Sequence, residues 1–316
     1  MSDEILVKVE DLDRYYGRRA AVCGLSFELA KGEVLGFLGP NGAGKTTTMQ
    51  MLSGNLSPTA GSIEINGIDL LDLPKDAKRA IGYLPEQPPV YMELRVDEYL
   101  DYCARLNRVP RSKIRAARED AKARCGLADV GRRLIGNLSK GYRQRVGIAQ
   151  AIVHMPPVVI LDEPTVGLDP IQIREIRALI AELGEAHSVI LSSHILPEIQ
   201  AVCSRVQIIH QGRLVLSDTI EGLGERMQSE SLIVGARSLP NLDMIAAIPD
   251  VARVEAIDAH RVRVFHASDA NPTEYIARCA VDGGWGLTEL TPEHKSLEEI
   301  FVDLTQTESN DAKDAA

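Results

Sequence analysis

Short apolar runs alternate with amphipathic stretches through residue 220 or so, a texture that predicts an α/β domain. Val34–Leu38 is one such run; it ends at a glycine-rich turn and reads as a buried strand feeding a helix. Val158–Leu161 is a second, delivering two acids at its end, and Ser188–Ser192 is a third, stopping just before His194. Residues 90–135 are rich in arginine and alanine and predict a helical insert, which the amphipathic run Arg145–Ile152 extends toward residue 150. Within it, Arg105, Arg108, Arg111, Lys113, Arg115 and Arg118 form a basic cluster, expected as a solvated helix face or else as a face near lipid headgroups or an acidic partner.

The texture changes between residues 221 and 306. Ser231–Ala236, Val251–Asp258, Arg261–His266 and Gly286–Leu290 read as strands, and Asn241–Ile248, Pro272–Val281 and Ser296–Thr305 as helices. The order β-α-β-β-α-β plus a helix predicts a ferredoxin-like α+β unit, a fold that hosts many jobs and names none. His260, His266 and His294 lack metal-ligand spacing and are expected at the surface. Residues 307–316, TESNDAKDAA, are expected as a disordered tail.

Composition narrows the functional classes. At 316 residues the chain fits one to two domains of about 150 residues each. Its formal net charge of −10 argues against a non-specific nucleic-acid binder, although a local phosphate site is still possible. The five cysteines are odd in number and show no CxxC spacing, so reduced thiols in a cytosol are expected. No run reaches about 18 consecutive apolar residues, and MSDEILVKVED lacks an apolar signal core, so neither spanning nor secretion is expected. Work at a membrane would need a partner to hold the chain there.

Gly39-Pro40-Asn41-Gly42-Ala43-Gly44-Lys45-Thr46, followed by Thr47, matches G-x-x-x-x-G-K-[ST] between a strand and a helix. Glycines let successive N–H groups turn toward phosphate oxygens, and the following helix offers its positive end. Lys45 suits a compact charge between β- and γ-phosphates, and the Thr46 hydroxyl suits Mg²⁺. Farther on, Val-Val-Ile-Leu-Asp-Glu-Pro (158–164) puts Asp162 and Glu163 at a strand's carboxyl end, where open α/β sheets bind ligands. Asp162 suits a metal contact, and Glu163 the polarising of a water in line with a γ-phosphate. In Leu138-Ser139-Lys140-Gly141-Tyr142, a serine and a glycine open a helix, which makes a second anion-binding end.

Together these residues resemble the ATP-binding subunit of an ABC transporter: the Walker A loop (39–46), the signature LSKGY (138–142), the Walker B strand (158–164), the D-loop VGLD (166–169) and the switch His194. The resemblance covers about 200 residues and is closest to the ABC-2-type branch, including subunits tied to gliding motility and to nitrous-oxide-reductase maturation, which SLEEIFVDLT (296–305) also resembles. It implies an ABC-type P-loop NTPase domain over residues 1–220, with the helical insert at about 90–150, and the change of texture sets apart an accessory domain over 221–306. It further implies hydrolysis of ATP with Mg²⁺, head-to-tail pairing with a second copy or a homologous subunit, and a separate transmembrane permease. Glu163, His194 and Lys45 would be catalytic. Tyr16, rather than Tyr15, would stack on adenine, and Gly39 through Thr47 would hold phosphate. Ser139 and Gly141 would reach the partner's γ-phosphate, and Asp169 would couple the two sites. Thr46, Asp162 and Glu86 would serve the metal. The segment from Gln87 to Leu100 would meet the permease through an apolar tip around Tyr91.

Two departures stand out. Lys140 and Tyr142 replace the commoner glycine and glutamine of the signature, and Glu86 stands where a glutamine is usual, with Gln87 next to it. The added charge at 86 predicts slower or more metal-dependent turnover. The reading is of a cytoplasmic ATPase, peripheral on the inner face of the cell membrane through its permease and serving export, with no nucleic-acid partner expected. The C-terminal unit would stabilise the dimer, touch the permease or bind a small regulatory ligand. The alternatives are a soluble ABC ATPase acting on ribosome or DNA, and a nucleotide-dependent regulator without turnover.

Overall fold

The computed structural model describes residues 4–267 and 270–294, and the chain divides into two units, Met1–Ile220 and Glu221–Ala316. The first unit opens with β1 (Ile5–Tyr16) and β2 (Arg19–Ala30), then β3 (Val34–Leu38), α1 (Lys45–Leu52), β4 (Ala60–Ile65), β5 (Ile68–Asp69), α2 (Pro74–Ala77) and β6 (Ile81–Leu84). The helical insert supplies α3 (Val96–Leu106), α4 (Ile114–Arg124) and α5 (Lys140–Ile152). The chain then returns through β7 (Val158–Asp162), α6 (Pro170–Gly184), β8 (Ser188–Ser193), α7 (Leu196–Val202), β9 (Arg205–His210) and β10 (Arg213–Thr219).

Two sheets form. Strands β2-β1-β4-β5 pair antiparallel, with the β1–β2 hairpin turning at Gly17, φ +61°. The larger sheet runs β10-β9-β3-β8-β7-β6, parallel throughout except at the β10 edge. Its central strands β3, β7 and β8 are buried along their whole length, which explains why they read as continuous apolar runs rather than alternating ones. Parallel pairing puts the carboxyl ends of β6, β7, β8 and β3 on one edge, so the loops that follow them converge. Both sheets and α1 share one apolar core, in which Phe27 of β2 meets Phe37 of β3 edge to face at 5.0 Å. Helix α7 lies close over β3: a Cβ added at Gly36 would sit 2.5 Å from Ile199 Cγ2.

The second unit opens with α8 (Ile220–Met227), which begins at the last residue of the first, and contains β11 (Gln228–Ala236), α9 (Leu242–Ala246), β12 (Val251–Ala256), β13 (Arg261–His266), α10 (Thr273–Asp282) and β14 (Leu287–His294). Sheet order β12-β13-β11-β14, all antiparallel, is the ferredoxin-like split arrangement expected from the order of elements. Its core gathers Leu232, Val234, Ile245, Val264 and Ile276 around Trp285, the chain's single tryptophan, which is 6% exposed. The expected helix over 296–305 and the expected tail lie outside the described residues.

One expectation for the insert needs correction. Arg105, Arg108, Arg111, Lys113 and Arg115 are exposed, but Arg118 is not part of a solvated face. It turns inward against α3 and meets Asp101 at 3.0 Å and Asp97 at 3.7 Å. Beside it Lys122, 4% exposed, donates to Asp97 at 2.6 Å and pairs with Glu119 at 3.1 Å. Burial alone would lower the Lys122 ammonium, but the two carboxylates outweigh it and hold the group above its usual range. Helical periodicity on α4 could not show that α3 brings its own acids to that side. Asp97→Asn should lower the unfolding free energy by about 2 kcal/mol, because a buried ammonium loses its best acceptor. The Asp97→Asn/Lys122→Met pair should recover part of that loss in urea unfolding.

Candidate active site

The turn after β3 owes its shape to glycine. Gly42 and Gly44 stand at φ +80° and +108°, and a Cβ at Gly44 would come 2.6 Å from the Ala21 carbonyl oxygen. Lys45, the first residue of α1 and 5% exposed, donates to the carbonyls of Gly39 at 2.7 Å and Pro40 at 3.2 Å. The same ammonium lies 3.3 Å from Glu163 Oε1, and Glu163 Oε2 lies 2.9 Å from His194 Nδ1. A lysine at the start of α1, a glutamate after β7 and a histidine after β8 thus form one contiguous polar line. Glu163 is held at φ +48°, a left-handed conformation uncommon for a residue with a side chain, and its N–H donates to Ser192 Oγ at 2.9 Å.

Asp162 is fully buried at the end of β7. Its Oδ1 accepts from Ser192 at 2.6 Å and from Thr46 at 3.3 Å, while its Oδ2 has no partner. Burial pushes this carboxyl above its usual range; the two hydroxyls pull it back, and the negative charges of Glu163 and Glu86 add to the rise. A buried carboxylate with one unpaired oxygen beside a threonine hydroxyl is a hard-oxygen donor set, suited to a magnesium ion.

A cavity of about 830 Å³ opens above these groups. Of the residues singled out from the sequence, Tyr16, Asn41, Gly42, Gly44, Lys45, Thr46, Thr47, Glu86, Glu163 and His194 line it. Gly39 and Pro40 act through their carbonyls beneath Lys45, and Ala43 is buried behind the loop. Tyr16 reaches the cavity with Arg14 stacked 4.8 Å from its ring, whereas Tyr15 does not line it.

Three predicted residues lie elsewhere. Ser139 caps α5 by accepting from Tyr142 N–H, and with Gly141 it lines a separate groove of about 330 Å³ against Gln172 of α6. No residue lines both cavities. Asp169 caps α6, accepting from the N–H groups of Ile171 and Gln172 at 3.0 Å each. The Lys140 side chain runs over Gly167 of the D-loop, so the signature and the D-loop touch within one chain. The segment after Glu86 is shorter than expected, because α3 already begins at Val96; Tyr91, 46% exposed, packs edge to face on Tyr99 and Tyr102.

Sequence reasoning passed over Ser192, Arg19 and Gln211. Ser192 carries the hydrogen bonds that hold both acids, and the others line the cavity. Only the place of Ser192, two residues before His194 at a strand end, could have signalled it.

Residues 22–166 match the family described as ABC transporter. Over 301 residues the chain is 34% identical to the bacitracin transport ATP-binding protein BcrA of Bacillus licheniformis, covering 95% of this chain and 97% of that one. It is 30% identical to the daunorubicin resistance ATP-binding protein DrrA3 of Streptomyces coeruleorubidus, with 95% of each covered. A solved ATP-binding subunit of an ABC transporter superposes with a TM-score of 0.64 at 31% identity, over 70% of this chain and 92% of that one. No helix among the described residues is long and apolar enough to cross a membrane. The chain therefore belongs to the ABC transporter family, as an ATP-hydrolysing, ATP-binding subunit of the kind that powers a membrane permease.

Proposed function

We propose that this chain is the ATPase of an exporter, works as a closed pair of nucleotide-binding domains, and is held on the inner face of the membrane by its permease. The observation that carries the reading is the line Lys45–Glu163–His194 across the mouth of the phosphate loop. On binding, Lys45 exchanges the carboxylate of Glu163 for phosphate oxygens, which frees Glu163 to turn to a water. The water's oxygen bonds to the γ-phosphorus, the bridge to the β-phosphate breaks toward ADP, and Glu163 takes the water's proton. His194 holds Glu163 and steadies the charge that spreads over the transferring group.

Mg²⁺ would supply positive charge against the triphosphate, and Thr46 and Asp162 are the residues suited to hold it, with Glu86 nearby. The unpaired Asp162 Oδ2 supports that fit. Ser139 and Gly141 line a groove apart from the loop cavity of their own chain, which supports a pair in which each copy, or a homologous subunit, completes the other's site. The names of the relatives, bacitracin transport and daunorubicin resistance, support outward movement of cargo.

Glu163→Gln should reduce phosphate release by at least about 100-fold and leave ATP binding intact. With Mg-ATP the same variant should elute as a dimer. Unchanged release, or a monomer in every nucleotide state, would overturn the corresponding part of the reading. Glu86 is exposed on the cavity wall, where its charge opposes that of the nucleotide. Glu86→Gln should therefore hydrolyse ATP at lower Mg²⁺ than the unaltered chain. Coinciding Mg²⁺ profiles would remove the idea that residue 86 sets the metal requirement.

A further inference from the structure

Glu198 is a second buried acid near the site, and it does not line the cavity. It stands in the first turn of α7 and is 3% exposed, whereas an acid placed only to favour the helix end would sit in solvent. One oxygen, Oε2, accepts two hydroxyls: Thr165 at 2.7 Å and Ser193 at 2.8 Å. The other, Oε1, faces Arg177 of α6 at 3.9 Å.

These partners are not scattered. Thr165 precedes the D-loop (166–169), and α6, which carries Arg177, begins directly after it. The residue before the D-loop and the helix after it thus both face one carboxylate. Ser193 precedes His194, and its Oγ also accepts the N–H of Ile195 at 3.0 Å, which braces the backbone on both sides of that histidine. His194 in turn contacts Glu163. A displacement of the D-loop would thus pass through Thr165, Glu198 and Ser193 to His194, within a network too buried for water to relax it.

We propose that Glu198 is a positioning residue for ATP hydrolysis: its carboxylate ties the D-loop to the backbone of His194, so that the pairing of Glu163 with His194 depends on where the D-loop lies. The proposal rests on the reading that Glu163 and His194 line up the attacking water. Glu198 sets the chemical step and leaves nucleotide affinity alone, because none of its partners lines the loop cavity.

Steady-state hydrolysis and equilibrium ATP binding, measured on the full chain, test this. Thr165→Val and Ser193→Ala each remove one hydroxyl with little change of volume. Each should lower kcat by about 10- to 100-fold, as small misplacements at a reacting centre do, with the Kd for ATP unchanged within about twofold. The double variant should be no slower than the slower single one, because both hydroxyls act through the same oxygen. Glu198→Ala should match it, and Glu198→Gln, whose carbonyl oxygen can still accept both hydroxyls, should recover most of kcat. Unchanged kcat in Thr165→Val and Ser193→Ala, losses that multiply in the double variant, or a loss that falls on Kd would each overturn the proposal. If Glu198→Ala does not fold, the two hydroxyl variants decide alone. Glu163→Gln in the same assays reports separately on the site: full activity there overturns the site reading and the proposal with it, whereas loss there beside intact Thr165→Val and Ser193→Ala variants overturns only the role of Glu198.

Discussion

Asp162 is charged chemistry placed where water cannot reach it, and much of the first unit is arranged around that fact. A lone carboxylate at the end of a fully buried strand is expensive to ionise, and burial accordingly raises its proton affinity. The protein compensates only partly. Ser192 and Thr46 donate to one oxygen and nothing donates to the other. Strands β6 and β8 flank β7 in parallel, and Ser192, opposite Asp162 on β8, holds the carboxylate in place by donating to it. Such a group is stable only if the fold around it is stable for other reasons, and the shared core of the two sheets and α1 provides them.

Parallel topology does the remaining placement. The loops after β3, β7 and β8 are far apart in sequence but leave the sheet side by side, which brings Lys45, Glu163 and His194 together. Order along the chain and order across the sheet differ: β3 sits between β8 and β9. The last strands to be made therefore frame the first loop to be made, and the site exists only when the whole unit has folded.

The buried central strands were legible in the sequence as unbroken apolar runs, and the phosphate loop as a motif whose glycines have no other use at those dihedral angles. The antiparallel sheet is hidden in β1, where register shifts break the two-residue alternation, but it is visible in β2, where exposed and buried positions alternate from Gly24 to Leu29. Arg118 departs from the expected solvated face for a different reason: its partners Asp97 and Asp101 belong to another helix, and periodicity reports only a residue's own helix. Ser192 stands in the SSH stretch that carries His194, but nothing in that stretch gives it a role, and Glu198 carries no motif. Their importance lies in contacts across about 30 residues of sequence, which appear only once strand ends are brought together. Ser139 and Gly141 were legible as a helix start, and the structure places them in their own groove rather than beside Lys45.

The single tryptophan has an optical meaning. Trp285 is enclosed in the core of the second unit, and the first unit holds no indole. Emission selected for indole over tyrosine thus comes from the ferredoxin-like unit alone. The packing around Trp285 can therefore be followed without a label and in the unaltered chain.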